Sequence, residues 1–260
     1  MDLHLKNKVI VVSGGALGIG QAITRCLAAE GATPVIIGKD QSDNEATVAE
    51  LQNAGLQADH FVAELSDGAQ CKNAIAYVSE KYGRIDGLIN NAGINDGVGL
   101  ESGDEARFLD SYKKNALHYY LLAHYALPDL KASKGAIVNI ISKVAETGQG
   151  NTSGYAAANG ARSALTREWA VELLPYDIRV NAVIVSESFT DMYRKWIASF
   201  EDGAAKKAMI ESRIPFQKRM TTPGEIASMV VFLLSPVSSH TTGQLIHVDG
   251  GYVHLDRAVK

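Results

Sequence analysis

The chain has 260 residues, of which 46% are hydrophobic and 21% charged, and its formal net charge is −4. This is the composition of an ordinary globular protein with enough chain for one sizeable core. There is no basic block to attract nucleic acid, no apolar run near the roughly 20 residues of a membrane helix, and no signal-peptide hydrophobic region. We therefore expect a cytoplasmic protein with neither nucleic acid nor a membrane as its partner, and the two distant cysteines offer no metal-site spacing.

Strand-like and helix-like segments alternate along the chain. Short apolar runs predict strands at residues 8–14, 34–38, 58–65, 85–93, 135–142, 178–185 and 244–251. Helical patterns occupy residues 16–32, 44–55, 68–83, 104–130, 153–170 and 223–235. This alternation predicts βαβ units, and strands that are apolar throughout indicate a parallel sheet covered on both faces. The predicted fold class is α/β, a doubly wound parallel sheet forming a single domain over residues 1–260.

One long irregular segment, residues 186–222, follows the sixth predicted strand. In open parallel sheets, ligands bind beyond the carboxyl ends of the strands. An insertion at that edge would lie over the ligand crevice, so we interpret it as a helical lid. The alternative is a surface helical hairpin with no gating role.

A glycine cluster lies between the first strand and the first helix, in VVSGGALGIGQAI. Glycine permits a positive φ angle and a close backbone approach, and the free N–H groups of the following helix attract phosphate. Gly14, Gly18 and Gly20 have the spacing G-x-x-x-G-x-G rather than that of the common dinucleotide fingerprint. With Leu17 and Ile19 between them, they predict a dinucleotide site.

This cluster is one of several motifs that occur in a characteristic order. The others are NNAG at 90–93, Ser142, Tyr155 and VDGG at 248–251. Together, over the whole chain, they resemble the short-chain dehydrogenase/reductase superfamily. The resemblance implies a Rossmann fold, a nicotinamide dinucleotide cofactor and a homotetramer. It also implies further cofactor-binding positions, which are Glu64, Leu65, Asn91, Ala92, Gly93, Tyr155, Asn159, Val185, Glu187 and Thr190.

The end of the second strand distinguishes NADP from NAD, because it meets the 2′ position of the adenosine ribose. Gly38 stands where an acid would accept a hydrogen bond from a free 2′-hydroxyl, and Lys39 follows it. This arrangement resembles the glycine-basic pair of NADP users and favours NADP over NAD. Two alternatives stay open: Asp40 could turn inward and favour NAD, or Lys39 could be a solvated loop charge.

The candidate catalytic residues are Ser142, Tyr155, Asn115 and Asn159. Oxidation of an alcohol transfers a hydride to the nicotinamide and a proton to a base, and a free phenol ionises only near pH ~10. Positive charge nearby would let a tyrosine act as that base. By the resemblance, Ser142 orients the substrate oxygen, and Asn115 is similar to an asparagine whose helix distortion holds a water for proton relay.

Position 159 departs from the superfamily pattern, which has a lysine one helical turn after the tyrosine. Asn159 can form hydrogen bonds to the ribose hydroxyls but carries no charge. Three interpretations compete: the tyrosine works at a higher pH with the cofactor's charge alone, another cation such as Lys143 moves in, or the chain binds dinucleotide without catalysis. We favour the first, an active enzyme, in which replacing Asn159 by lysine would shift the pH optimum downward.

The predicted substrate site is polar. Lys143, Gln149, Asn151 and Glu187, beside Ser142 and Tyr155, suit a polyol better than a steroid or a fatty chain. Tyr193 and Trp196 could stack on an apolar sugar face or pack within the lid. The segments TGQGNTSGY, LTREWAVEL, TTPGEIASMVVFLLSP, SHTTGQ and VDGGYVHLDRA resemble a narrower group, the bacterial L-fucose dehydrogenases. That resemblance implies oxidation of the C1 hydroxyl of L-fucose or a similar aldose to a lactone.

The tail after VDGG alternates aromatic, apolar and charged residues. In tetramers of the superfamily the carboxyl ends meet across a two-fold axis. We therefore consider that His254, Asp256 or Arg257 lines the pocket of an adjacent subunit. The alternative is that the tail only adds interface area.

Overall fold

The computed structural model describes residues 2–256, which form a seven-stranded sheet with helices on both faces. All the strand pairs are parallel, in the order β3-β2-β1-β4-β5-β6-β7. The strands are β1 Val9–Ser13, β2 Thr33–Gly38, β3 Asp59–Val62, β4 Gly87–Asn90, β5 Ala136–Ser142, β6 Arg179–Val185 and β7 Leu245–Val248. The predicted α/β fold with a doubly wound parallel sheet is confirmed.

The helices follow the strands in chain order and build one apolar layer on each face of the sheet. They are α1 Gly18–Ala29, α2 Gln41–Asn53, α3 Gly68–Tyr82, α4 Glu105–Tyr112, α5 His118–Ser133, α6 Ser153–Glu172, α7 Asp191–Ala198, α8 Gly203–Ser212 and α9 Pro223–Leu234. Successive strand side chains point to opposite faces. Val9 and Val11 accordingly pack in the layer under α3, α5 and α6, whereas Ile10 and Val12 pack under α1 and α9.

The strand order reverses direction between β1 and β4, which are neighbours in the sheet although two strands separate them in the chain. A crevice opens at such a switch point, beyond the carboxyl ends of the strands. At this edge lie the glycine cluster after β1, NNAG at the end of β4, Ser142 at the end of β5 and the start of the lid segment after β6. The fold therefore brings the separate motifs to one edge of the sheet.

The segment 186–222 contains α7 and α8, so the predicted helical insertion is present. Its two ends are held together by a parallel bridge between Ser188 and Thr221, and the Thr221 N–H donates to the Glu187 carbonyl at 3.0 Å. The insertion thus leaves and rejoins the sheet edge at one point beside the crevice. Among residues 2–256, no helix combines the length and the apolar character needed to cross a bilayer.

Candidate active site

The glycine loop after β1 has the geometry of a phosphate cradle. Gly14 and Gly18 have φ angles of +63° and +56°, where L side chains are strained. A Cβ added to Gly20 would lie 2.0 Å from the Gly14 carbonyl oxygen, so the loop packs backbone to backbone. Helix α1 begins at Gly18, and the side chain of its N-cap residue, Leu17, makes no capping hydrogen bond. The first N–H groups of the helix therefore remain available to an anion.

The end of β4 fixes this loop in place. The Asn91 side-chain amide donates to the carbonyl oxygens of Ser13 and Gly14 at 3.0 and 3.1 Å. In return, the Ser13 hydroxyl accepts the N–H groups of Asn91 and Ala92 at 2.9 and 3.1 Å. A Cβ on Gly18 would lie 3.3 Å from Thr190 Cγ2, so the start of the lid borders the same cradle.

The end of β2 is crowded at position 38. A Cβ on Gly38 would lie 2.8 Å from Asn44 Oδ1, and the Asn44 amide donates to the Gly38 carbonyl at 2.9 Å. Asp40 does not turn inward, because it caps α2 by accepting the Asp43 N–H. Lys39 is exposed at this corner. Asn44, which the sequence did not single out, therefore lies against position 38 at this corner.

Three of the positions that the resemblance assigns to cofactor binding, Glu64, Leu65 and Val185, differ in exposure. Glu64 accepts the Ser66 N–H and hydroxyl at 3.0 and 2.9 Å, and these bonds together with the charge of Lys39 lower the pKa of Glu64. Leu65 and Val185 are only 8% and 9% exposed and pack in the core. The side chains of Leu65 and Val185 therefore lie in the core below the cofactor crevice and are not part of its exposed surface.

The Asn159 side chain links the main chains of two predicted catalytic residues, Ser142 and Tyr155. It is fully buried on α6; its side-chain oxygen accepts the Ser142 N–H, and its side-chain amide donates to the Tyr155 carbonyl, each at 2.8 Å. This bonding favours a positioning role over the ribose contact predicted for Asn159. Tyr155 is half-buried, and its hydroxyl makes no hydrogen bond to the described residues, so it is available to a ligand.

A π-helical turn, Lys113–Leu117, interrupts the helix at the position where the resemblance implied a distortion. Asn115 lies at its centre and is fully buried. Its side-chain amide donates to the carbonyls of Ile94 and Ser111, both at 2.9 Å, and its side-chain oxygen accepts the Ile94 N–H at 2.8 Å. Such turns leave main-chain carbonyls outside the regular helical ladder.

Arg162 occupies the space behind Asn115 and Asn159, and the sequence interpretation missed it. It is 3% exposed and donates from Nε to the Asn115 carbonyl. From Nη1 it donates to Asn159 Oδ1 and to the Ile140 carbonyl, both at 3.2 Å. The available sequence signal was its spacing: residues 155, 159 and 162 share one face of a helix.

A second group of charged and phenolic side chains, partly shielded from solvent, lies next to Ser142. Lys143 and Glu187 form an ion pair, with side-chain exposures of 9% and 19%. The Tyr193 hydroxyl donates to the other Glu187 oxygen at 2.7 Å, and burial together with this bond raises the pKa of Tyr193. The Tyr252 ring centroid lies 3.8 Å from Lys143 Nζ. Lys143 is thus engaged by Glu187 and is not a free cation beside Tyr155.

The remaining predicted substrate residues lie further out. Gln149 and Asn151 are exposed and make no side-chain hydrogen bond to the described residues. Trp196 is 45% exposed and packs edge-on against Tyr193, with ring centroids 5.2 Å apart, which favours packing within the lid over stacking on a sugar.

The tail contacts its own subunit. Tyr252, which the sequence interpretation missed, lies over Lys143, and the His254 ring packs edge-on against His247 at 4.3 Å. Asp256 is exposed at the end of the described segment, and Arg257 lies outside the described residues. The tail therefore lines the site of its own chain through Tyr252.

Comparisons with known proteins agree with this geometry. A family model described as enoyl-(acyl carrier protein) reductase matches residues 14–253. The chain is 36% identical over 253 residues to 3-oxoacyl-[acyl-carrier-protein] reductase FabG of Thermotoga maritima, covering 96% of this chain and 100% of the relative. It is 31% identical over 246 residues to L-fucose dehydrogenase of Rattus norvegicus, covering 94% and 88%.

The solved structure titled Cj0485 dehydrogenase is also similar, with a TM-score of 0.95 and 40% identity, covering 100% of this chain and 99% of that one. The similarity to the L-fucose dehydrogenase is no stronger than that to the reductase of Thermotoga maritima. These relatives share an oxidoreductase fold and differ in substrate.

Proposed function

The chain belongs to the short-chain dehydrogenase/reductase superfamily, and on that premise we propose that it oxidises the C1 hydroxyl of an aldose such as L-fucose to the lactone, with NADP as hydride acceptor. The observation that carries the proposal is the placement of Tyr155: its hydroxyl has no hydrogen-bond partner among the described residues, and its main-chain carbonyl is linked through the Asn159 side chain to the main-chain N–H of Ser142. A proton acceptor and a substrate-orienting hydroxyl are what alcohol oxidation requires of the protein.

The roles of the residues follow from their positions. The Ser142 hydroxyl donates to the substrate oxygen, and Tyr155 accepts the proton that this oxygen loses. The loop from Gly14 to Gly20 and the open N-terminus of α1 fit a dinucleotide phosphate. The nicotinamide dinucleotide, when bound, supplies the hydride acceptor. Asn159 holds the Ser142 backbone and the first turn of α6 in a fixed relation.

A sugar is the favoured substrate because the site beside Ser142 is rich in polar groups. The Lys143–Glu187 pair, Tyr193 and Tyr252 offer charged and phenolic partners to several hydroxyls. Gln149 and Asn151 add side chains with no partner among the described residues. A lid formed by residues 186–222 would exclude water once a sugar is bound.

A substrate panel tests this proposal. We expect L-fucose, D-arabinose or L-galactose with NADP to produce reduced cofactor, followed by its absorbance at several pH values. A 3-oxoacyl thioester with reduced cofactor is the comparison substrate, because the acyl-carrier-protein reductases are also similar to this chain. If no aldose is oxidised and the thioester is reduced rapidly, the chain is a 3-oxoacyl thioester reductase and the sugar assignment is wrong. Cofactor binding without turnover of any substrate would favour a silent dinucleotide-binding protein.

The choice of NADP rests on Lys39 and Gly38 at the end of β2. We expect Lys39→Asp to shift the ratio of kcat/KM for NADP and NAD towards NAD by at least about tenfold, because a charge-assisted bond to the 2′-phosphate is worth about 1.5–3 kcal/mol. The control is Lys6→Asp, the same charge change before the amino end of β1. An equal ratio in both variants, or a wild type that prefers NAD, would contradict the NADP assignment.

We further propose a cytoplasmic homotetramer. Exposed apolar side chains on α4 and α5, including Phe108, Leu109 and Tyr120, support an interface between copies. Light scattering on the purified chain gives the number of subunits directly. A monomer at the concentration of the assay would contradict the proposed interface between copies.

A further inference from the structure

Arg162 is a buried cation without an acidic partner. It is 3% exposed, and no carboxylate of residues 2–256 lies within ion-pair distance of it. Its hydrogen-bond acceptors are main-chain carbonyls and two asparagine side chains, and the Tyr119 ring centroid lies 4.2 Å from its Cζ. Burial of a charge is costly unless it is paired. A guanidinium held only by neutral groups beside catalytic residues therefore calls for a functional explanation.

The residues around Arg162 are those that the reaction uses. Arg162 Nη1 and the Ser142 N–H share the acceptor Asn159 Oδ1, and the other end of the same amide donates to the Tyr155 carbonyl. Arg162 is thus linked to both Ser142 and Tyr155 through a single intervening side chain, that of Asn159. On α6 it follows Tyr155 by two helical turns on one face.

The π-helical turn provides two further hydrogen-bond acceptors for Arg162, both on Asn115. Arg162 Nε donates to the Asn115 carbonyl, and Nη2 donates to Asn115 Oδ1 at 3.3 Å. A Cβ on Gly93 would lie 2.8 Å from Arg162 Nη2 and 2.9 Å from Asn115 Oδ1. Gly93 therefore leaves the space that the guanidinium needs, which links the NNAG motif to this charge.

The positive charge of Arg162 affects the pKa values of two neighbouring side chains, His118 and Tyr119. Burial, and next the positive charge of Arg162, lower the pKa of His118 to about 4, so His118 is neutral near neutral pH. Burial raises the pKa of Tyr119, while Arg162 acts in the opposite direction and ionised Tyr155 in the same direction. The ionisable groups on the elements packed against α6 include Glu105, Arg107, Asp110 and Tyr112 of α4, Lys113 and Lys114 of the π-helical turn, Lys143 after β5, Tyr176 after α6 and Arg179 of β6. Lys143 is in turn paired with Glu187, which accepts the Tyr193 hydroxyl.

We propose that Arg162 supplies the positive charge that favours the phenolate of Tyr155, in place of the lysine missing at position 159, and that it positions Asn115 and Asn159. The inference rests on the proposed dehydrogenase function. The superfamily pattern has its cation one helical turn after the tyrosine, whereas in this chain the cation stands two turns after it. A lysine at 159 would then stand beside an existing buried cation, so Asn159→Lys alone is not expected to help.

Four variants test this positioning role: Arg162→Leu, Arg162→Lys, Asn159→Lys and the double variant Asn159→Lys/Arg162→Leu. Arg162→Leu should move the pH profile of kcat at least about one unit towards alkaline pH, a loss of about tenfold at neutral pH. Arg162→Lys should keep most of the profile. Asn159→Lys alone should impair the protein by repulsion, and the double variant should restore the wild-type profile.

A second measurement does not depend on turnover. The Tyr155 phenolate is titrated by tyrosine absorbance or by NMR of 13C-labelled tyrosine, with Tyr155→Phe as the reference. If no substrate is turned over, the proposed function fails while this titration still tests the role of Arg162. The inference is overturned if Arg162→Leu leaves the phenolate titration unchanged. It is also overturned if the double variant folds and titrates at higher pH than the wild type.

Discussion

Tyr155→Phe should lower turnover by about 10²–10⁴-fold, because it removes the one hydroxyl assigned to accept the substrate proton. The phenyl ring stays in place, and the residues of the glycine loop are untouched, so dinucleotide affinity should change by less than about threefold. The measurements are kcat by cofactor absorbance and the dissociation constant of the dinucleotide by quenching of protein fluorescence.

The matched control is Tyr176→Phe. Tyr176 is 41% exposed, follows α6 on the surface, and keeps its ring contact with Lys131 in the variant. Both variants lose a single phenolic oxygen, and only Tyr155→Phe should lose activity. Retention of most of kcat by Tyr155→Phe would remove Tyr155 from the mechanism, whereas loss of dinucleotide binding would show a structural role instead.

The fold could be predicted from the sequence because its signals are local and repeated. Each strand is a short apolar run ended by glycine or a polar residue, and each predicted strand contains the observed one, apart from Thr33 at the start of β2. The predicted helix at residues 104–130 is continuous, yet it contains the π-helical turn. Periodicity does not reveal such a turn, since Ile94 and Arg162, which lie elsewhere in the chain, bond to Asn115 at its centre.

The site was only partly predictable for a related reason. Ser142 and Tyr155 are recognised by residue type and order, and the sheet then brings them together. Arg162 was missed because a charged residue on a helix is normally expected to face solvent. Its role appears only when burial and the acceptors around it are known. Tyr252 was missed because contact between the tail and Lys143 is a property of the tertiary structure.

Lys143→Met should destabilise the protein by about 1–3 kcal/mol, between the costs of breaking an exposed and a fully buried pair, because it leaves the partly buried Glu187 carboxylate without its cation. The ion pair is largely shielded from water, with side-chain exposures of 9% and 19%, and Tyr193 would remain as the hydrogen-bond donor to the Glu187 carboxylate among residues 2–256. If this pair also binds the sugar, the variant should raise the sugar KM strongly. Urea denaturation and sugar kinetics measure the two effects separately.

The double variant Lys143→Met/Glu187→Gln separates stability from substrate binding. Removing both charges leaves a neutral amide that still accepts the Tyr193 hydroxyl, so most of the lost stability should return. The sugar KM should stay high, because the charged partners of the sugar hydroxyls are gone. Lys114→Met is the control: it breaks an exposed i,i+4 pair with Asp110 and should cost at most about 1 kcal/mol. A double variant with a wild-type sugar KM would place the sugar away from Glu187, and a Lys143→Met cost no larger than that of Lys114→Met would show that the buried pair adds no stability.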